Sequence, residues 1–247
     1  MPNISFQLFS TREFPVDETL GLLQKTGIKE VEGFGPYYDD PAATKAKLDA
    51  HGLSMPTGHF SLDMVEKEPA RTIEVAKTIG VEAVIVPYIM PDDRPKNAAE
   101  WKAFGERLAK ISEPIRAAGL QFGYHNHDFE FFALEDGSLP IDHIVNASEH
   151  IKIELDLCWV FVAKHDPVAW INKLADRLIS VHVKDRAPEG EATDESGWAD
   201  VGHGVIEWPP IVAALKDAGV PRYVIEHDNP NNQERLITRS YATVSKF

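Results

Sequence analysis

The stretch Ile151–Trp159, IKIELDLCW, decides the fold. Apolar Ile153, Leu155 and Leu157 alternate with Glu154, Asp156 and Cys158, the two-residue period of an extended strand whose successive side chains point to opposite faces. A strand with one wholly apolar face and two carboxylates on the other must bury the apolar face beneath helices. The carboxylates then face inward, which a closed barrel accommodates at its strand ends.

The same grammar runs outward in both directions. Strands are predicted at Ile4–Phe9, Glu30–Phe34, Ser54–His59, Ala83–Tyr88, Gln121–Asn126, Lys152–Leu157, Ile179–Val183 and Tyr223–Glu226. Between them lie segments of helical period, from DETLGLLQKTG (17–27) to NAAEWKAFGERLAKISEPIRAAG (97–119). Gly27, Gly52, Gly80, Gly119 and Gly219 stand where helices end before the next strand, as expected of left-handed C-caps. Eight β/α repeats without a linker predict an α/β fold, a single (β/α)8 TIM barrel spanning residues 1–247. No GxGxxG opens the first helix, so a dinucleotide-binding open sheet is disfavoured. The longest aperiodic segment, Ala187–Gly204, follows the seventh strand and is expected on the active face.

Composition removes other classes. With 25 basic and 39 acidic residues the formal charge is −14, which repels nucleic acid. No apolar run approaches the roughly 20 residues of a membrane span, and MPNISFQLFSTREF lacks the pattern of a secretory signal, so a cytoplasmic protein is expected. The lone Cys158 cannot pair within the chain or build a thiolate zinc cluster, so any metal must sit on oxygen and imidazole ligands. Self-association into a homo-oligomer is permitted.

Parity then sorts the polar residues. In FGYHNHDFEF His125 and His127 share a face; in ISVHVKD His182 and Lys184 do; in YVIEHD Glu226 points inward. His125, Asp156, His182 and Glu226 thus converge from the tops of strands five to eight, two imidazoles and two carboxylates that suit one divalent ion such as Mn, Co, Zn or Mg. A hydrogen-bonded polar plug is the alternative. Glu32 and His59 lie across the mouth, where they either bind a hydroxylated substrate, move protons, or are satisfied surface groups. Lys184 either neutralises an oxyanion, transfers a proton if burial lowers its pKa, or pairs with Asp156 or Glu226. Trp159 offers an apolar wall to a sugar face, or plain core. PEGEATDE (188–195) reads as a solvated loop, and Gly202 and Gly204 in DVGHGVIEW resemble a phosphate cradle only weakly.

The segments YHNHDFEF, ELDLCWVFVAKHDP, VHVKD, VGHGVIEW and YVIEHD together resemble the xylose-isomerase-like barrel superfamily over essentially the whole chain. That resemblance implies a metal at the ends of strands five to eight, with Asp156, His182 and Glu226 on matching positions. His125 departs from the glutamate usual in the epimerases, and His127 is the substitute strand-five ligand, otherwise a substrate-binding group. The three-zinc set of endonuclease IV is not found. The implied activity is that of a metal-dependent isomerase or epimerase acting on a sugar, keto-sugar or related polyol through an ene-diolate. A 3-keto-glycoside lyase or hydrolase using the same intermediate is the alternative, and a non-catalytic sugar-binding barrel a further one. The resemblance also implies a base role for Glu226, assisted by His59, Glu32 or Lys184, with burial expected to hold the Glu226 pKa near working pH. On that expectation Glu226→Gln lowers turnover by about 10²-fold or more.

Overall fold

The computed structural model describes residues 2–247. Eight parallel strands, β1 Asn3–Gln7, β2 Glu30–Gly33, β3 Ser54–His59, β4 Ala83–Val86, β5 Gln121–His125, β6 Lys152–Asp156, β7 Leu178–Val183 and β8 Arg222–Ile225, close into one barrel, β8 pairing back to β1 with Phe6 opposite Ile225. Helices follow the strands, as the β/α alternation requires. Gly27 and Gly80 end two of them with φ of 99° and 97°, a conformation that a Cβ would oppose. Most predicted strands run one or two residues past the observed C-terminal ends, because the chain leaves the sheet to carry the site.

Strand β6 shows this most clearly. Alternation stops at Asp156, whose carboxylate accepts from the Trp159 amide and caps the short helix Leu157–Val162. Cys158 is therefore buried in that helix rather than aligned on the inner face with Glu154 and Asp156.

Two cores separate the layers. The large one lies between barrel and helices and contains the outward residues Phe122, Tyr124, Ile153, Leu155, Val181, Tyr223 and Ile225. Each such side chain contributes about 1.5–3 kcal/mol on burial. The interior of the barrel holds a small apolar cluster, Ala83, Ile85 and Ile179. A bulge in the β6–β7 pairing skips Ile179, so Glu154 faces Ser180 and Asp156 faces His182. Buried polar side chains occupy the inner face above that cluster, among them Gln7, Glu32, Thr57, Glu154, Ser180 and His182. No helix among the described residues is long and apolar enough to cross a membrane.

The Ala187–Gly204 segment is partly regular. Trp198–Ala199 pairs antiparallel with Asp185–Arg186, and within PEGEATDE Glu195 is buried and bonded to Arg235 at 2.6 Å, so that stretch is not wholly solvated.

Candidate metal centre and barrel mouth

Strand register carries the polar groups to one level. Asp156 sits opposite His182, His182 opposite Val224, His125 opposite Glu154 and Gln7 opposite Glu32. Ligand atoms of His125, Asp156, His182 and Glu226, all buried, lie within 4.8 Å of one another. A second quartet, His59, His125, Glu154 and His182, meets the same limit.

Hydrogen bonding distinguishes the two. Glu154 Oε1 already fills the centre of the second quartet, 2.7 Å from His59 Nε2, 3.0 Å from His182 Nε2 and 3.3 Å from His125 Nδ1. Its other oxygen accepts from Ser180 at 2.6 Å. In the first quartet Asp156 Oδ2 lies 3.0 Å from the Lys184 ammonium and His125 Nδ1 lies 3.3 Å from Glu154 Oε1, neither in an aligned hydrogen bond. His182 faces both sets: Nδ1 lies 2.8 Å from Glu226 Oε2 and 4.0 Å from Asp156 Oδ2, while Nε2 lies 2.7 Å from Glu32 Oε1. An imidazole that donates one ring N–H to a carboxylate presents the other nitrogen as a ligand. The donor set of the first quartet therefore fits a divalent cation, with Glu32 orienting His182 from behind.

Lys184 supplies positive charge to the same carboxylates. Its ammonium is buried 3.0 Å from Asp156 Oδ2, 2.9 Å from Glu226 Oε2 and 3.0 Å from Asp228 Oδ1, and it lies 5.0 and 4.8 Å from the Trp159 and Trp198 rings. Burial opposes the charge, yet Asp156, Asp228 and Glu226 outweigh it and raise the Lys184 pKa well above its usual value. The lowering on which a proton-transfer role depended does not occur. Of the readings above, pairing with Asp156 and Glu226 matches the geometry.

Glu226 departs from expectation in the same way. Burial favours its neutral form, but Lys184 and His182 prevail and hold its pKa well below the carboxylate range. It is a firmly ionised oxygen donor and a weak base. Asp156 is raised to about 6 by burial and by Glu226, against the pull of Lys184.

His59 and His127 have opposite environments. Burial would neutralise His59, yet Glu32 and Glu154 together raise it to about 9. His127 is held well below 6.5 by burial, then by His125 and Lys184. Both line a cavity of about 720 Å³ at the barrel mouth, with His125, Glu226 and Asp228 in its floor. Trp159 is not among the lining residues; it packs against His127 and Trp198 and covers Lys184. Glu32 is likewise buried beneath the mouth, hydrogen-bonded to Gln7 and His182.

Several contributors were not among the sequence candidates. Gln7 shares the strand-end parity of the others, and Asp228 follows Glu226 by two residues, so both carry a signal. The apolar wall of Phe9, Phe34 and Tyr88 comes from the segments just after β1, β2 and β4; all three end predicted strands, and Phe9 and Phe34 share the parity of Gln7 and Glu32, so those two also carry a signal. His227, just past the end of β8, is not among the residues that line the cavity, and its amide bonds to Ser10 Oγ.

Eight parallel strands with imidazoles and carboxylates gathered at their C-terminal ends define an α/β barrel whose centre is competent to bind a cation. Residues 9–244 match the model of one such family, and the chain belongs to it: the xylose isomerase-like TIM barrels. An inosose dehydratase of Lacticaseibacillus casei is 23% identical, covering 87% of this chain and 82% of its own. A solved sugar phosphate isomerase/epimerase from Parabacteroides distasonis is 21% identical with a TM-score of 0.82, covering 98% of this chain and 93% of that one. The IOLI protein, solved with a bound zinc atom, is 17% identical with a TM-score of 0.75, covering 100% and 96%.

Proposed function

We propose that this chain is a divalent-metal-dependent enzyme that removes a proton next to the carbonyl of a sugar, keto-sugar or related polyol. His125, Asp156, His182 and Glu226 would hold the ion, which supplies Lewis acidity to a carbonyl and its neighbouring hydroxyl. The convergence of four buried donor atoms within 4.8 Å of one another and the Glu32–His182 bond support this ligand set.

What carries the chemistry is the placement of two histidines on one cavity, His127 in surroundings that favour its neutral form and His59 between two carboxylates that favour its charged form. A neutral His127 is fitted to accept the proton on carbon, and a charged His59, its Nε2 held by Glu154 at 2.7 Å and its Nδ1 3.3 Å from the Gln7 amide nitrogen, to offset negative charge on a departing oxygen. In an elimination the C–H proton passes to His127, the electron pair forms the new double bond, and the adjacent C–O bond breaks beside the His59 charge as its oxygen takes a proton from solvent in the cavity; His127 then returns its proton to solvent. This split favours carbon–oxygen lyase chemistry, which is also the activity in the name of the Lacticaseibacillus casei relative. Isomerisation or epimerisation is the second reading, favoured by the single neutral base His127, which can return the same proton to a neighbouring carbon without a leaving group. A non-catalytic sugar-binding barrel has no use for either arrangement.

The test is incubation of manganese-loaded enzyme with an inosose, a free ketose and a 3-keto glycoside in deuterated water. A conjugated enone absorbing in the ultraviolet supports elimination, and deuterated ketose without enone supports isomerisation. Unexchanged protons in all three substrates would sink both.

A further inference from the structure

The cavity that holds the two histidines has an unusual balance of walls and charge. Its rim is apolar, from Phe9, Phe34, Pro36, Met64, Pro87 and Tyr88, and no lysine or arginine lines it. The charged groups that do are acidic, Asp39, Glu226 and Asp228, besides the histidines. Phe9 and Tyr88 are 38% and 37% exposed, and the other exposed large apolar side chains, Val16, Met90, Phe132 and Val205, likewise follow barrel strands β1, β4, β5 and β7 on the site's end of the barrel.

The cations near the mouth are already engaged. Arg12 lies 4.1 Å over the Phe9 ring and donates to the carbonyls of Phe9 and Asp228. Arg94 lies 3.6 Å over Phe129 and donates to the Ile89 carbonyl and the Tyr88 hydroxyl. Lys184 is sealed beneath by three carboxylates.

The loop after β7 points the same way. Barrels that bind phosphate use backbone amides of the loops after strands seven and eight. Here the Gly202 and Ile206 amides and the Trp208 indole N–H all donate to the Asp185 carboxylate, at 2.9, 3.1 and 2.9 Å. A Cβ at Gly204 would collide with that carboxylate. The weak phosphate cradle of DVGHGVIEW is filled by an anion of the chain itself.

We infer that the substrate is an unphosphorylated sugar or polyol carrying an apolar, preferably aromatic, substituent seated between Phe9, Phe34 and Tyr88. Away from His59 and the metal ligands, a phosphate dianion would meet Asp39 and Asp228 and no lysine or arginine, whereas an aromatic group would remove apolar surface from water on both sides. The inference rests on the sugar-enzyme reading above and adds the substrate class.

Calorimetric titration of the manganese-loaded protein tests it with unreactive probes: phenyl and methyl β-D-glucopyranoside, glucose and glucose 6-phosphate. Phenyl glucoside is expected to bind at least about tenfold tighter than methyl glucoside, a ratio that needs only roughly 55 Å² of apolar surface removed from water. Glucose 6-phosphate is expected to bind no tighter than glucose at low salt. Phe9→Ala and Tyr88→Ala, both at exposed positions, should each reduce the phenyl-to-methyl ratio about threefold or more. A tenfold gain from the phosphate, equal binding of the two glucosides, or no binding of either overturns the inference. Affinity is read without turnover, so the two readings fail separately. An intact ratio with no solvent exchange on keto substrates sinks the reaction and leaves the substrate class standing; exchange with a ratio near one does the reverse.

Discussion

Replacing Lys184 with methionine removes the ammonium that holds Asp156 and Glu226 and keeps most of the side-chain volume. Lys184 and Asp156 are essentially inaccessible and Glu226 nearly so, with Nζ–O distances of 3.0 and 2.9 Å, while Asp228 is a quarter exposed and loses less. Removing one partner of a buried pair costs about 3–5 kcal/mol. For a chain of this size that is roughly 6–20 °C in Tm. The cost must depend on pH. Asp156, already raised to about 6, rises further without the ammonium, and a group raised in the folded state stabilises below its unfolded pKa and loses that contribution as pH rises through the folded value. Metal-free Lys184→Met should therefore be destabilised much more at pH 8 than at pH 5. A divalent cation placed among the same carboxylates would replace the lost charge, so manganese should raise the Tm of the variant by more than that of the parent. Urea and thermal unfolding of chelator-treated protein at both pH values, followed by circular dichroism with and without manganese, measure each quantity. A metal-free variant within 1 kcal/mol of the parent at pH 8, or equal metal-induced shifts in the two proteins, would refute both the charge accounting and the shared site.

Elemental analysis should find about one divalent ion per chain in the parent and none in Asp156→Ala/His182→Ala; retention of the ion by that variant would exclude the first quartet. At full metal occupancy His127→Asn should lower turnover by about 10²-fold, whereas Glu226→Gln, which alters an ionised ligand rather than the base, should cost less than tenfold; the reverse ranking would return the base role to Glu226. His59, raised to about 9, stabilises the fold fully below about pH 6.5 and loses that contribution as pH climbs to 9. His59→Gln should accordingly flatten the fall in urea-unfolding stability between pH 7 and 9.5, and an unchanged slope would assign the charge elsewhere.

Much of this was legible in the chain itself. A period of two on IKIELDLCW, ISVHVKD and YVIEHD is a local property of the backbone, so it determines which side chains share a face, and eight such strands with helices between them determine the barrel. That is why Asp156, His182 and Glu226 could be brought to one centre from sequence, with His125 beside them. The limits were also physical. Strand ends depend on where caps such as Asp156 turn the chain into a helix, and that choice placed Cys158 outside the inner face. The protonation of the site depends on charges far apart in sequence: Lys184 is raised rather than lowered because Asp156, Glu226 and Asp228 arrive from other strands and together outweigh burial. His182 meets Glu32 across 150 residues, and Phe9, Phe34 and Tyr88 meet only because three loops end at one rim. Periodicity along one strand decides a direction, whereas distances between strands decide energies, and only the closed barrel sets those distances.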